Sequence, residues 1–491
     1  MRKNVLSLLL LLTMSAPILG QPIFYTPFER GLKDAFQLRF DEVEKDIQSM
    51  RENGEEEWRI AYIEHTVRFL AHFADENKEA YDDERSALKS RINDFEESAP
   101  QGVPEYYLYM GEMSLTIAAL EAKFGHDWGA AGHGMDGLSA LQKGQELFPQ
   151  YKPMYAGMGI LNVAIGSVPD DYQFITNMMG YRGDVTRGMN YLRQAIEASK
   201  ERKYAYLKEK HAFLYGLIAQ QLFPDEISSL EELNVRPDNS PLLAFLESSL
   251  LMSAGESDEL ISLLEEVTTN ESFYTFPYLY YQLGRAKLAR GDDDANTVLQ
   301  EYILVNKGEN YVKSTYRYLH WYHRLHSNSR EAEHFRSLVL NEGIAKVGGD
   351  QQAEREMKRE LTPLNLLRAR LQFDNGDAQG CITTLRTVQV EDLSPLFKAD
   401  YYYRMGRAHQ KLSLMNSAKR NFDQCREIDL GETVTFEQVN AALQLAILNE
   451  RDNPEYARSL FNAVLSYDDE YPWRHGMQQK AKAGLSRLDA A

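Results

Sequence analysis

Three histidines, His320, His323 and His326, stand three residues apart, a spacing that on a helix places imidazoles on adjacent faces and is compatible with a metal site. His126, Asp127 and His133 form a second set inside a Gly-rich stretch. Each has a plainer reading. His320 and His323 fall where one helix of a hairpin packs on its partner, and nothing fixes the geometry of the second set. Acidic runs at Glu55 to Glu57, Asp82 to Glu84 and Asp292 to Asp294 offer carboxylates for acid-base work or calcium, but they lie in polar turns or on outward faces without the spacing of a known loop. No G-x-S-x-G, phosphate loop, H-E-x-x-H or paired C-x-x-C occurs. The expectation is a protein with no catalytic residue, no metal and no cofactor.

A different pattern carries binding chemistry. Tyr278, Tyr281 and Arg285, then Arg317, Trp321 and Arg324, then Arg370 and Phe373, then Tyr403 and Arg407 recur along the second half of the chain, with Phe245 ahead of them. A guanidinium offers planar paired donors to a carboxylate, and Tyr or Trp adds apolar contact area at little entropic cost. The plainer reading is that these arginines pair with acidic groups of neighbouring repeats.

These side chains need elements that repeat. The stretch from Ala399 to Leu430 reads as two short helices joined by a polar turn, with Tyr402, Gly406, Ala418, Phe422 and Cys425 at the spacing of a 34-residue helix-turn-helix repeat. One such hairpin cannot bury its apolar face alone and needs neighbours. Copies start at 241, 277, 313, 362, 399 and 438. Their turn residues are Gly255, Gly291, Ser327, Gly376, Ser413 and Asp452, all tolerant of tight turns. Position 27 of each copy is Val267, Ile303, Val339, Val388, Cys425 and Val464. Position 20 is looser, with Leu260, Asn296, Ala332, Cys381, Ala418 and Ala457. A longer gap after the third copy holds Gly348, Gly349 and the charged run Gln352 to Glu360, expected to extend a helix or loop on the outer surface. In such an array the first helices line the concave face. Positions 2, 5, 9 and 12 of those helices are the aromatic and arginine residues named above.

Upstream, Phe36, Phe40, Val43 and Ile47, and then Ile60, Ile63, Val67, Leu70 and Phe73, keep a helical 3-4 spacing, after an extended leader from Gln21 to Phe28. Ser98 to Pro104 reads as a break. Twelve of the 31 glycines lie between Gly125 and Gly188, which points to close helix approach or to turns with positive φ. Helices are expected over Ala156 to Ser167 and Val185 to Ser199, with a short element from Tyr172 to Met179 and a turn from Gly180 to Asp184. Gly159, Asn162, Ser167, Pro169, Gly180, Gly183, Asp184 and Gly188 match a G-x-x-N-L-x-x-S-x-x-P core and a later G-x-x-G-D-x-x-x-G. On these residues, the segment Gly157 to Leu192 resembles the eukaryotic inclusion-body-clearance and tetratricopeptide-repeat-protein-thirty-nine family. Where that family has Arg after the Gly-Asp pair, this chain has Val185, with Arg187 nearby. The resemblance implies an all-helical repeat scaffold without known catalytic residues. The family's intracellular membrane and lipid-droplet associations do not fit an exported chain, and only the fold is carried over.

Composition sets further bounds. With 43% apolar residues, 11% aromatic residues and 29 tyrosines, a sizeable core is available to the 491 residues. Residues 1–20 have the three parts of a secretory signal peptide: Arg2 and Lys3, the apolar run Val5 to Met14, and small residues up to Gly20. A retained anchor is the rival reading. Removing Arg2 and Lys3 leaves 52 basic against 73 acidic residues, net −21, a surface that repels phosphate backbones and argues against nucleic acid. Gly157 to Val168, apolar over 12 residues, is too short to span a bilayer. Cys381 and Cys425 are too few for a disulfide framework; buried free thiols are the first reading, a bridge between them the second.

The expected fold is therefore all-α: residues 1–20 a signal peptide, 21–103 an N-terminal helical segment, 104–240 a Gly-rich helical block, and 241–491 tetratricopeptide-like hairpin repeats forming an open superhelix. The expected function is a non-enzymatic, exported (periplasmic or extracellular) scaffold that binds a protein or peptide bearing acidic groups. Two rivals remain. One is an α/α-toroid enzyme acting on glycans, which needs a carboxylate pair roughly 5 to 10 Å apart in an aromatic cleft; Asp127 beside Trp128 is its one local candidate. The other is a small-molecule pocket in the Gly-rich block, enclosed by Trp128, Tyr172 and Phe174.

Overall fold

A computed structural model gives the structure of residues 25–490, apart from 167–180, 182, 224–225, 432–434 and 468–470. The described residues form helices and no strand. In chain order these are α1 (Pro27–Phe36), α2 (Phe40–Glu52), α3 (Glu57–Asp75), α4 (Lys78–Ser98), α5 (Pro104–Lys123), α6 (Asp127–Leu147), α7 (Met154–Gly166), α8 (Val185–Ala198) and α9 (Lys208–Leu222). Then follow α10 (Pro241–Ala254), α11 (Ser257–Thr268), α12 (Pro277–Arg290), α13 (Ala295–Val305), α14 (Val312–Leu325), α15 (Ser329–Asn341), α16 (Gly348–Lys358), α17 (Leu364–Asp374) and α18 (Ala378–Leu385). The chain closes with α19 (Pro395–Lys411), α20 (Met415–Glu427), α21 (Phe436–Asn449), α22 (Pro454–Ser466) and α23 (Arg474–Ala490). None of the described helices is long and apolar enough to cross a membrane. The signal-peptide residues lie outside the described residues.

Local chemistry sets the first boundaries, and two differ from expectation. The leader is not extended as far as Phe28. Helix α1 begins at Pro27 because Thr26 caps it: its hydroxyl accepts from the Glu29 amide (3.3 Å), and the Glu29 carboxylate accepts from the Thr26 amide (2.8 Å). Phe36 and Phe40, expected on one helical face, belong to two helices, since Leu38 takes φ 56° and breaks the run. The break from Ser98 to Pro104 stands between α4 and α5.

In the Gly-rich block, helices approach until their backbones touch. A Cβ on Gly188 of α8 would lie 2.7 Å from the Gly159 oxygen of α7, so a larger residue at either position would force the helices apart. Asn162, also on α7, donates to the Met158 carbonyl (2.8 Å) and accepts from the Tyr181 hydroxyl (3.1 Å). Asp184 caps α8 by accepting from the Arg187 amide (2.7 Å). Ser167, Pro169, Gly180 and the element from Tyr172 to Met179 fall outside the described residues.

From Pro241 onward, short turns join consecutive helices into hairpins, and the first helices of successive hairpins contact one another. Gly255, Gly291, Ser327, Gly376 and Ser413 take positive φ at these turns; Asp452 does not, and there Asn453 caps α22 instead. Val267, Val339, Cys425 and Val464 are buried, whereas Ile303 and Val388 are half-buried. In the second copy Ala295, not Asn296, takes the buried place. Helix α16 corrects the expected outer-surface insertion: Asp350, Gln352, Ala353 and Met357 are buried, and α16 packs on α14.

Cys381 and Cys425 are free and fully buried. Burial pushes the Cys381 thiol up to about 12 and that of Cys425 upward as well. Because thiolate is the reactive form, neither is expected to react with an aromatic disulfide reagent in the native protein, and both are expected to react in denaturant. Rapid native labelling of either would contradict this burial.

Candidate functional site

Six helices, α12, α14, α16, α17, α19 and α21, surround a polar pocket of about 380 Å³. Of the ten residues expected in the groove, Tyr278, Tyr281, Arg285, Arg317, Arg370, Phe373, Tyr403 and Arg407 line it. Trp321 does not. It is 1% exposed and lies beneath the pocket, its ring centroid 4.6 Å from the Arg317 guanidinium and 4.5 Å from that of Arg370. Arg324, three residues further along α14, is also outside the lining; burial and Arg336 push its guanidinium down.

The centre of the arrangement is Glu356 on α16. Its carboxylate accepts from Arg370 Nη1 (2.8 Å), Arg317 Nη1 (3.2 Å) and Gln352 Nε2 (2.7 Å). Burial alone would raise its pKa, but Arg370 and Arg317 outweigh that and hold it down at about 2. Arg404 pairs with Asp400 one helical turn earlier (2.7 Å). The reading in which the arginines pair with neighbouring acids therefore accounts for Arg317 and Arg370.

It does not account for Arg285 and Arg407. Neither has a carboxylate within 4.0 Å among the described residues. Arg407 donates to the Tyr403 hydroxyl (3.1 Å) and lies 5.5 Å from the Phe373 ring centroid. Arg285 faces Tyr318: burial raises that phenol, and Arg285, Arg317 and Arg370 together bring it below its ordinary value. Glu437, in the lining, is pushed up by burial and by Asp400. Across this pocket and the smaller one beside it, six guanidiniums, Arg285, Arg317, Arg359, Arg370, Arg404 and Arg407, meet five carboxylates, Glu356, Glu360, Asp374, Asp400 and Glu437. The pocket favours an anion although the protein as a whole is strongly acidic.

Sequence reading missed Glu356, Asp374, Arg404, Glu437 and Trp473 as parts of this site. Asp400 and Arg404 at i and i+4 were a visible signal. Glu356 had a weaker one: Ala353 and Met357 beside it mark an inward face within a run that otherwise reads as charged surface.

The other candidates do not assemble. His320 Nδ1 bonds the Ala332 carbonyl (2.7 Å) in the hairpin interior, His323 stacks on Phe335 at 5.3 Å, and His326 stacks on Tyr322. His126 bonds Asp82 (2.8 Å), while His133 is 3.8 Å from Asp136. No group of three metal-ligating side chains occurs among the described residues. Trp128 is 72% exposed, and Tyr172 and Phe174 lie outside the described residues. No protein-family model and no curated protein matches this chain.

Proposed function

We propose that the protein is an exported, non-enzymatic scaffold: an open superhelix of tetratricopeptide-like hairpins whose arginine-lined pocket captures a carboxylate of an extended or helical protein segment. The observation that carries this reading is the pair Arg285 and Arg407, two guanidiniums without a carboxylate partner in an aromatic pocket. Tyr278, Tyr281, Phe373 and Tyr403 supply flat apolar contact on either side of the bound group. Arg317, Arg370 and Arg404 already hold carboxylates of the protein and act as the fixed frame.

This division of labour selects the test. Reversing Arg370 would strand Glu356 without its closest partner and confuse folding with binding. Arg285→Gln and Arg407→Gln remove the two charges that no carboxylate holds in a salt bridge, although Asp374 still acts on Arg285 from further off. A fluorescein-labelled decapeptide of alternating Glu and Ala serves as probe, read by anisotropy at low salt. Each variant is expected to bind about tenfold more weakly, the cost of one charge-assisted hydrogen bond of about 1.5 kcal/mol or more, with an unchanged melting temperature. Equal binding by wild type and both variants would remove the proposal, as would no binding by the wild type.

A further inference from the structure

A second cavity, of about 370 Å³, lies in the N-terminal half, and its chemistry is the opposite of the first. Helices α1, α3, α5, α7, α9 and α10 contribute its walls, which are almost wholly apolar: Leu32, Phe69, Leu115, Ile160, Leu217 and Ile218 are representative. An engineered apolar cavity of about 150 Å³ already stays dry and takes up benzene. A space more than twice as large, lined by residues of six helices, is a pocket and not a packing fault.

Its few polar groups gather at one end. Glu112 accepts from Lys210 (2.6 Å) and also from the Tyr62 hydroxyl, which ties α3, α5 and α9 together at one level. Glu209 accepts from Gln37 Nε2 (2.7 Å), Lys33 lies over the Tyr25 ring, and Glu209 in turn helps raise the Tyr25 phenol, after burial. One turn further along, His65 bonds Thr116 (2.9 Å), and beyond that point α3 and α5 present Phe69, Phe73 and Ala119. On α9 the wall runs from Lys210 to Ile218, about 12 Å at 1.5 Å per residue. The cavity is thus long, apolar along its length and polar at one end. That end carries two ammonium groups, Lys33 and Lys210, and two carboxylates, Glu112 and Glu209, so it has no net charge to offer an ionised head.

We propose that this cavity binds a single-chain amphiphile with an uncharged polar head, such as a monoacylglycerol, its hydrocarbon tail running toward Phe73 and Ile218 and its hydroxyls meeting Glu112, Glu209 and Lys210. The site is separate from the arginine pocket and independent of what that pocket binds. Neutral hydroxyls can both donate to the carboxylates and accept from the ammonium groups without disturbing the balance of charge, whereas a carboxylate head would have to displace Glu112 or Glu209.

The test is calorimetric titration of the full chain with monoacylglycerols of increasing tail length, each below its micelle concentration, beside the corresponding fatty-acid anions. Affinity is expected to rise about threefold to fourfold per methylene and then to level off once the cavity is full. Leu217→Trp, in the wall, and Ala119→Trp, at an exposed rim position, are expected to move that levelling to shorter tails while circular dichroism and acidic-peptide binding stay as in wild type. A lack of saturable binding overturns the site, as does affinity that climbs with tail length without levelling, or levelling that neither variant moves. Tighter binding of the fatty-acid anion than of its glycerol ester overturns the neutral head.

Discussion

Replacing Glu356 with Ala is expected to lower the stability of the protein by about 3 to 5 kcal/mol, the cost of removing one partner from a buried ion pair and leaving its counterpart uncompensated. Here two counterparts are left. Arg317 is 2% exposed and both guanidiniums are held against the same Trp321 ring, so each would be left at the wall of the pocket without its carboxylate. The effect also has a sign in pH. Because Glu356 titrates at about 2 in the folded protein against an ordinary 4.5, its stabilisation is complete above pH 4.5. It is lost as pH falls from there toward 2, a change of about 3 kcal/mol. Wild type and Glu356→Ala should therefore differ most near neutrality and converge in acid. Asp350 on the same helix runs the other way, burial raising it to about 6, so the difference between the two proteins is the quantity to measure, not either curve alone. Urea unfolding followed by tryptophan fluorescence at several pH values tests this. Glu333→Ala, which removes an exposed carboxylate 3.7 Å from Arg336, should cost under about 0.5 kcal/mol. A Glu356 effect as small as that control, or one independent of pH, would show that the buried triad does not support the array.

The contrast between Glu356 and the repeats shows what the chain's order of residues discloses and what it hides. The hairpins after Pro241 were legible because a period of near 36 residues places a turn former and a compact apolar residue at fixed intervals, and each copy must bury the same face on the next. Gly255, Gly291 and Gly376 could be assigned to turns, and Val267, Val339 and Val464 to interiors, with no knowledge of the fold. Helix α16 interrupts the period, and an element that interrupts a repeat loses the one pattern that says which way it faces. Its charged composition then argued for solvent, although tertiary pairing with Arg317 and Arg370 turns Glu356 inward. Phe36 and Phe40 lack such a pattern too: their spacing suits one helix, but Leu38 at φ 56° divides them, beside Gln37, which bonds Glu209, 172 residues away. Long-range partners of this kind leave no local trace. The lining of the arginine pocket was legible as a list of positions on first helices, but which arginines were already neutralised was not.

Gly376→Ala is expected to destabilise the protein by about 3 kcal/mol or more, far beyond the usual cost of a turn glycine, because Gly376 does two things at once. Its φ of +85° already strains any residue with a Cβ, a cost of about 1 kcal/mol for a non-glycine residue in the left-handed region. In addition, the turn it forms between α17 and α18 seats on the turn between α10 and α11, so closely that a Cβ on Gly376 would lie 2.2 Å from the Gly255 carbonyl oxygen and 3.0 Å from its Cα. Lys411 reinforces this junction by donating to the Ala254 carbonyl at 2.6 Å. Backbone cannot yield as a flexible side chain would, so the two hairpins must separate, and with them a contact between segments 121 residues apart in sequence. Gly291 supplies the comparison: φ is +93° and nothing lies within 4 Å of its missing Cβ. Gly291→Ala should therefore cost only about 1 kcal/mol, the conformational part alone. Asn separates the two contributions further, since it tolerates left-handed backbone better than Ala. Gly291→Asn should be nearly neutral, whereas Gly376→Asn should be as damaging as Gly376→Ala, because the Cβ remains. If urea midpoints place the Gly376 and Gly291 variants together, the seated turns do not hold the two hairpins together and Gly376 is an ordinary turn residue.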